Sequence, residues 1–160
     1  MAIAVGDKIP DAKVRVKDDN GINEVSTDEL FGGKKVALFA VPGAFTPTCS
    51  AKHLPGFIQN ADALKAKGID SIVCVSVNDA FVMDAWGKAQ GAAGKVVMAA
   101  DGNGDFTKAM GMELDGSGFG LGQRSKRYSA IVDNGVVKSL NIDAGGEFGA
   151  SSAETMLDQL

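Results

Sequence analysis

The run Lys34 to Val41, KKVALFAV, is apolar almost without interruption and is bounded by Gly32-Gly33 and Pro42-Gly43. A short continuous run between turn signals predicts a strand covered on both faces. Beyond it, apolar residues at 54, 57, 58, 61 and 64 keep a helical spacing, and the pattern ends at Gly68 after Lys65 and Lys67. Pro55 falls inside that segment and has no N–H to donate, so a bend or interruption is expected there. SIVCVSV, 71 to 77, repeats the buried-strand pattern. NDAFVMDAWGKAQG follows, with Asn78 or Asp79 as the cap of a helix carrying Phe81, Val82, Ala85 and Trp86. KVVMAA then reads as a strand and DFTKAMG as a short helix. This alternation predicts an α/β layer fold with parallel pairing.

The last third has a different rhythm. GSGFGLG, 116 to 122, is a flexible loop, and RYSAIVDNGVVKSLNI, 127 to 142, is two β-rich runs about Asn134-Gly135, a strong hairpin signal. A hairpin added to parallel strands makes the central sheet mixed. SSAETMLDQL closes the chain as a helix capped by Ser151 or Ser152, and Ser151 to Glu154 has the spacing of a capping box with Ser151 at the cap. With no repeat and no linker, residues 1–160 are expected to form a single domain.

Composition narrows the function classes. A hydrophobic content of 45% with 22% charged residues describes a globular protein. A formal charge of −4 and a pI near 4.9 lack the basic surface that nucleic-acid binding needs, so Arg124, Lys126 and Arg127 form a local feature. No apolar run has membrane-span length, and the opening MAIAVGDKIPDAKV lacks a signal-peptide layout. A cytoplasmic protein without a membrane or nucleic-acid partner is expected. Two cysteines, Cys49 and Cys74, do not make a disulfide scaffold.

Thr46-Pro47-Thr48-Cys49 places a capping residue before proline, which favours the first helical position. Cys49 is then the third helical residue, among unpaired backbone N–H groups at the positive end of the helix dipole, where a thiolate is stabilised. For any thiol, lowering the pKa from about 8.5 to about 6 raises the thiolate fraction at neutral pH about thirtyfold. The accompanying loss of nucleophilicity, with a Brønsted slope of about 0.4 to 0.5, takes back roughly tenfold. Fast chemistry therefore requires donors aimed at the substrate. Thr46 and a guanidinium such as Arg127, just beyond the glycine loop, are the candidates.

Pro42-x-x-x-Thr46-x-x-Cys49 resembles the active-site signature of the peroxiredoxins. VPGAFTPTCSAKHLPGF and SVNDAFVMDAW resemble the atypical type II or type V class, and the likeness continues through GKVVMAADGNG, RSKRYSAIVDNGVVK and SSAETMLDQL. The resemblance implies a thioredoxin-like fold and reduction of hydrogen peroxide and organic hydroperoxides without metal, haem, flavin or other cofactor. By position it implies Cys49 as the peroxidatic nucleophile, Thr46 as the hydroxyl bonding thiolate and peroxide, Pro42 as a shield against water, and Arg127 as the activating guanidinium. It also implies a homodimer meeting near the active-site helices, and glutathione with glutaredoxin, or thioredoxin, as reductant.

Other residues are read more plainly. Cys74, inside IVCVSV, is an inert core thiol. His53, four residues after Cys49, is a residue behind the pocket, since two thiols and one histidine at these spacings do not build a zinc site. Gly43 and Phe45 lie in the pocket loop, and Phe45, Phe81 and Trp86 are core or interface. GSGFGLG precedes no helix start and is no dinucleotide fingerprint. The late segment GEFGASSAETM carries no resolving cysteine, so a one-cysteine cycle with an external thiol is expected. The competing functions are a peroxide-sensing redox relay and a chaperone-like module.

Overall fold

The structure, a computed structural model, describes residues 2–144 and 147–160. A seven-stranded sheet carries the fold, in the order β2-β1-β5-β4-β3-β8-β9. At its centre β3 (Lys35–Val41), β4 (Ser71–Ser76) and β5 (Val97–Ala100) run parallel. β1 (Lys13–Asp18) and β2 (Gly21–Ser26) continue the sheet antiparallel beyond β5. The hairpin β8 (Tyr128–Asp133) and β9 (Val136–Ile142) continues it antiparallel beyond β3. The mixed α/β sheet expected from the pattern is the one observed.

Strand β3 shows why its sequence does not alternate. Val36, Leu38 and Ala40 enter one apolar cluster while Ala37, Phe39 and Val41 enter the other, so both faces are covered. The second cluster is roofed by α2 (Leu54–Gln59), α3 (Ala61–Ala66), α4 (Ala80–Gln90) and α6 (Ala153–Asp158), which supply Leu54, Phe57, Leu64, Met83, Trp86 and Met156. The other face is covered by Phe31 of α1 (Thr27–Phe31) and Phe106 of α5 (Asp105–Ala109). At the hairpin tip Asn134 and Gly135 take φ of 47° and 79°, the pair of positive angles that a twisted two-residue turn demands.

Four expectations are corrected. The helix from Leu54 is broken at Asn60, whose φ of −97° and ψ of 10° end α2 and start α3. In α4, Asp79 is the cap, accepting from Val82 N–H at 2.8 Å, but the buried side is Ala80, Met83, Trp86 and Gly87, so Phe81 and Ala85 point outward. Ser152, not Ser151, caps α6, accepting from Thr155 N–H at 3.1 Å. The glycine loop 116 to 122 contains a 3-10 turn, Ser117–Phe119, and lies between β6 (Glu113–Asp115) and β7 (Gln123–Ser125), which pair as a small ribbon.

Candidate active site

The loop after β3 leads directly to the thiol. Helical backbone begins at Pro47, so Thr46 precedes the helix and Cys49 is its third residue. From Cys49 the helix widens into a π turn, Cys49–His53, closed by Leu54 N–H donating to the Cys49 carbonyl. Pro55 explains the widening. It cannot donate, and its ring would press on the carbonyl four residues back. The extra residue in the turn moves Pro55 to the start of α2, where a missing N–H costs little.

Cys49 is fully buried, and the Arg127 guanidinium faces it, with Nη2 donating to Sγ at 3.0 Å. The other terminal nitrogen, Nη1, lies 2.8 Å from His53 Nδ1. A guanidinium only donates, so Nδ1 is the acceptor and the imidazole proton sits on Nε2, which donates to the Ser151 carbonyl at 3.0 Å. Burial, and then the Arg127 charge, hold the His53 pKa down to about 3, so the ring is neutral across the physiological range. Its faces pack against Phe39, Phe57 and Phe148, with centroids 4.9, 5.7 and 5.2 Å away. Phe148 also lies under the Arg127 guanidinium at 5.8 Å.

The remaining residues named from the sequence divide into those beside this group and those away from it. Pro42, Thr48 and Arg127 line a cavity of about 420 Å³ that opens beside the Cys49 segment and is completed by Leu114, Lys126, Ile142 and Asp143, among others. The Thr46 hydroxyl donates to the Gly43 carbonyl at 2.6 Å rather than to the sulfur, so its oxygen is left as an acceptor. A Cβ on Gly43 would come within 2.9 Å of Arg124 Nη1 and 3.1 Å of Thr46 Cγ2, so a larger residue would have to push the Arg124 tip aside. Phe45 does not line the cavity. It is 55% exposed, with φ of 63°, and its ring leans on Trp86 at 6.4 Å, a strained conformation for a bulky residue. Phe81 is 64% exposed, whereas Trp86 is core and donates from Nε1 to the Ser50 hydroxyl at 2.9 Å.

Four contributors escaped the sequence reading. Arg124 donates to the carbonyls of Leu121 at 2.9 Å and Pro42 at 3.4 Å, fixing the loop that bears Pro42. Phe148, Ser151 and Asp143 close the site from the far end of the chain. The basic run through Arg127 was a signal for Arg124, while the other three depend on contacts between distant segments. Cys74 lies at mid-strand in β4, fully buried, between Phe39 and Met98 on the neighbouring strands. Burial, and then proximity to Cys49, push its thiol pKa well up. Among the described residues no group of three or more His, Cys, Asp or Glu side chains is placed to hold a metal ion. None of the described helices is long and apolar enough to cross a membrane.

A buried thiol at a helix start, faced by a guanidinium on a mixed sheet, defines a thioredoxin-fold thiol redox site. Residues 4–157 match the family described as Redoxin. The chain is 53% identical to Peroxiredoxin-2E, chloroplastic, of Arabidopsis thaliana, an alignment covering 99% of this chain and 70% of that protein. It is 50% identical to Peroxiredoxin-2B of the same plant over 99% of this chain and 98% of the other. The crystal structure of reduced Prx3 in complex with H2O2 from Vibrio vulnificus superposes with a TM-score of 0.95 at 56% identity, covering 98% of each chain. The chain belongs to the redoxin family and, within it, to the peroxiredoxins, which are thiol peroxidases.

Proposed function

We propose that residues 1–160 act as one peroxidase domain in which the Cys49 thiolate attacks the nearer oxygen of a hydroperoxide. The S–O bond forms as the O–O bond breaks, leaving sulfenic acid on Cys49, while the departing oxygen takes a proton and leaves as water or an alcohol. The observation that carries this reading is Arg127 Nη2 at 3.0 Å from Sγ. A guanidinium there meets the charge that develops on the leaving oxygen. Thr46, its own proton engaged by Gly43, is placed to accept from the peroxide O–H. Pro42 shields the sulfur, and His53 and Gly43 support Arg127 and the loop. Phe45 is assigned no contact with substrate.

The sulfenic acid then condenses with glutathione, releasing water, and a second thiol, from glutaredoxin or glutathione, displaces the mixed disulfide. Thioredoxin is the alternative donor. This one-cysteine cycle is favoured because Cys74 is sealed within β4. A second reading has a specific observation behind it: Cys74 and Cys49 share one apolar cluster, and the π turn that holds Cys49 is a locally irregular stretch of helix. Unwinding it would let the two sulfurs join. The test is the mass of the protein after peroxide and then glutathione. One glutathione on Cys49, with turnover kept in Cys74→Ser, supports the first cycle; a quantitative internal disulfide and a dead Cys74→Ser variant support the second.

A homodimer is part of this proposal, supported by exposed Phe45 and Phe81 beside the active-site helices. Sedimentation of reduced protein showing only monomer at tens of micromolar would remove it. A reducing compartment such as the cytoplasm suits two unpaired thiols.

A further inference from the structure

Arg127 is connected to itself by a closed circuit of hydrogen bonds. Its backbone carbonyl accepts from Asp143 N–H at 3.0 Å. The Asp143 carboxylate, buried at the end of β9, accepts from Ala150 N–H at 2.9 Å, Ser151 N–H at 3.1 Å and the Ser151 hydroxyl. The Ser151 carbonyl takes the His53 Nε2 proton at 3.0 Å, and His53 Nδ1 takes Arg127 Nη1 at 2.8 Å. Nη2 is then left for Cys49. The circuit joins the approach to β8, the residue after β9, the segment before α6 and the π turn.

We propose that Asp143 is a positioning residue for Arg127, acting through Ser151 and His53 to hold Nη2 on the nucleophile. The proposal rests on the peroxidase reading of this site and adds to it a control point in the cavity wall that reaches the sulfur only through other residues. Arginine carries a long, rotatable stem, and a pair of bonds at its tip orients the guanidinium only if the acceptor itself is fixed. His53 is packed among phenylalanines, and the ring nitrogen that does not meet Arg127 is held by the Ser151 carbonyl. Ser151 in turn is seated by a carboxylate receiving two bonds from that one residue, a charge-assisted clamp rather than a single contact. Removing the clamp frees the carbonyl, then the ring, then the guanidinium. A displacement of the order of 1 Å at the last step costs about a hundredfold in rate.

The test is a double-mutant cycle on the full chain. Cys49 oxidation by hydrogen peroxide and Cys49 alkylation by iodoacetamide are both followed by peptide mass, with unfolding measured in parallel. Asp143→Ala slows both reactions about tenfold or more in the native background. In the His53→Phe background, where the relay is already cut and the ring packing kept, it slows them by less than about twofold. Asp143→Asn keeps the volume and one acceptor, and runs the same cycle if the alanine variant does not fold. His53→Asn, which retains an acceptor near the Nδ1 position, recovers much of the rate that His53→Gln does not. An equal slowing by the Asp143 variants in both backgrounds, or a slowing fully accounted for by the unfolded fraction, overturns the proposal. Protein that alkylates at Cys49 but ignores peroxide refutes the peroxidase reading, while the alkylation cycle still decides the role of Asp143.

Discussion

Cys49 and Cys74 are both fully buried and belong to the same apolar cluster, yet their surroundings differ in one respect that matters for reactivity. The sulfur of Cys49 meets a guanidinium at 3.0 Å, and that guanidinium is braced by a neutral histidine. Around Cys74 stand Phe39 and Met98, and burial pushes its proton affinity up. Burial alone disfavours a thiolate, whereas a donor aimed at the sulfur is what the proposed nucleophile has and Cys74 lacks. The secondary structure follows the same division. A mid-strand residue is clasped by ladders on both sides, while the π turn leaves its residues outside the regular helical ladder.

The sharpest way to break this contrast is Cys49→Ser. Peroxide consumption in a steady-state assay should fall about a thousandfold or more, because a serine hydroxyl is not ionised at neutral pH. Normal turnover in that variant would end the assignment. Arg127→Ala follows, with an expected loss of about 100- to 1,000-fold in the oxidation step. That loss should exceed any fall in thiolate absorbance measured on the same samples; a rate that merely tracks thiolate would reduce Arg127 to a counter-ion.

His53 gives a pH signature. Its native pKa, about 3, lies below the ordinary value of 6.5, so the unfolded chain binds the proton first as pH falls. Stability contributed by the neutral ring is complete above about pH 6.5 and declines between there and about pH 3. The decline has a limiting slope of about 1.4 kcal/mol per pH unit. Urea unfolding at pH 7 and pH 4 should show wild type losing roughly 3 kcal/mol more than His53→Phe over that interval, and equal losses would refute it. The smallest effect belongs to Cys74→Ser. An unpartnered hydroxyl in that cluster costs about 1–3 kcal/mol of stability, while single-turnover oxidation of Cys49 stays within about twofold of wild type. A larger drop in that first step would make Cys74 part of the peroxide reaction.

Much of this architecture was legible because it is local. The unbroken apolar runs of β3 and β4, the Asn134-Gly135 turn and the Asp79 cap each announce themselves within a few residues. The β1–β2 hairpin and α1 went unread. Of the hairpin strands only Val14 is fully buried, so their hydrophobic signal is faint, although Ser26 and Glu29 form a reciprocal cap at 3.1 and 3.2 Å. Phe81, read as core or interface, turns outward because Met83, Trp86 and Gly87 take the buried side of α4, a choice no composition rule makes between a phenylalanine and a glycine. At the site, Cys49, Arg127 and His53 lie together; the resemblance named the first two, and only the four-residue spacing from Cys49 pointed to the third. The bonds that orient them join residues 74 to 98 positions apart, and no local pattern encodes such a distance.

Trp86 is the only tryptophan in the chain, and its indole N–H is tied to Ser50, the residue next to Cys49. The molecule thus carries a built-in optical label one hydrogen bond from the reacting segment. Indole emission responds to polarity and to hydrogen bonding at Nε1, so a change in the Ser50 contact would change the signal without any dye or substitution. Stopped-flow fluorescence at this single ring can then test whether mixing with peroxide alters the contact at all: a constant signal is expected if the turn stays closed, and a distinct phase if it unwinds. Ser50→Ala supplies the blank against which such a phase is assigned.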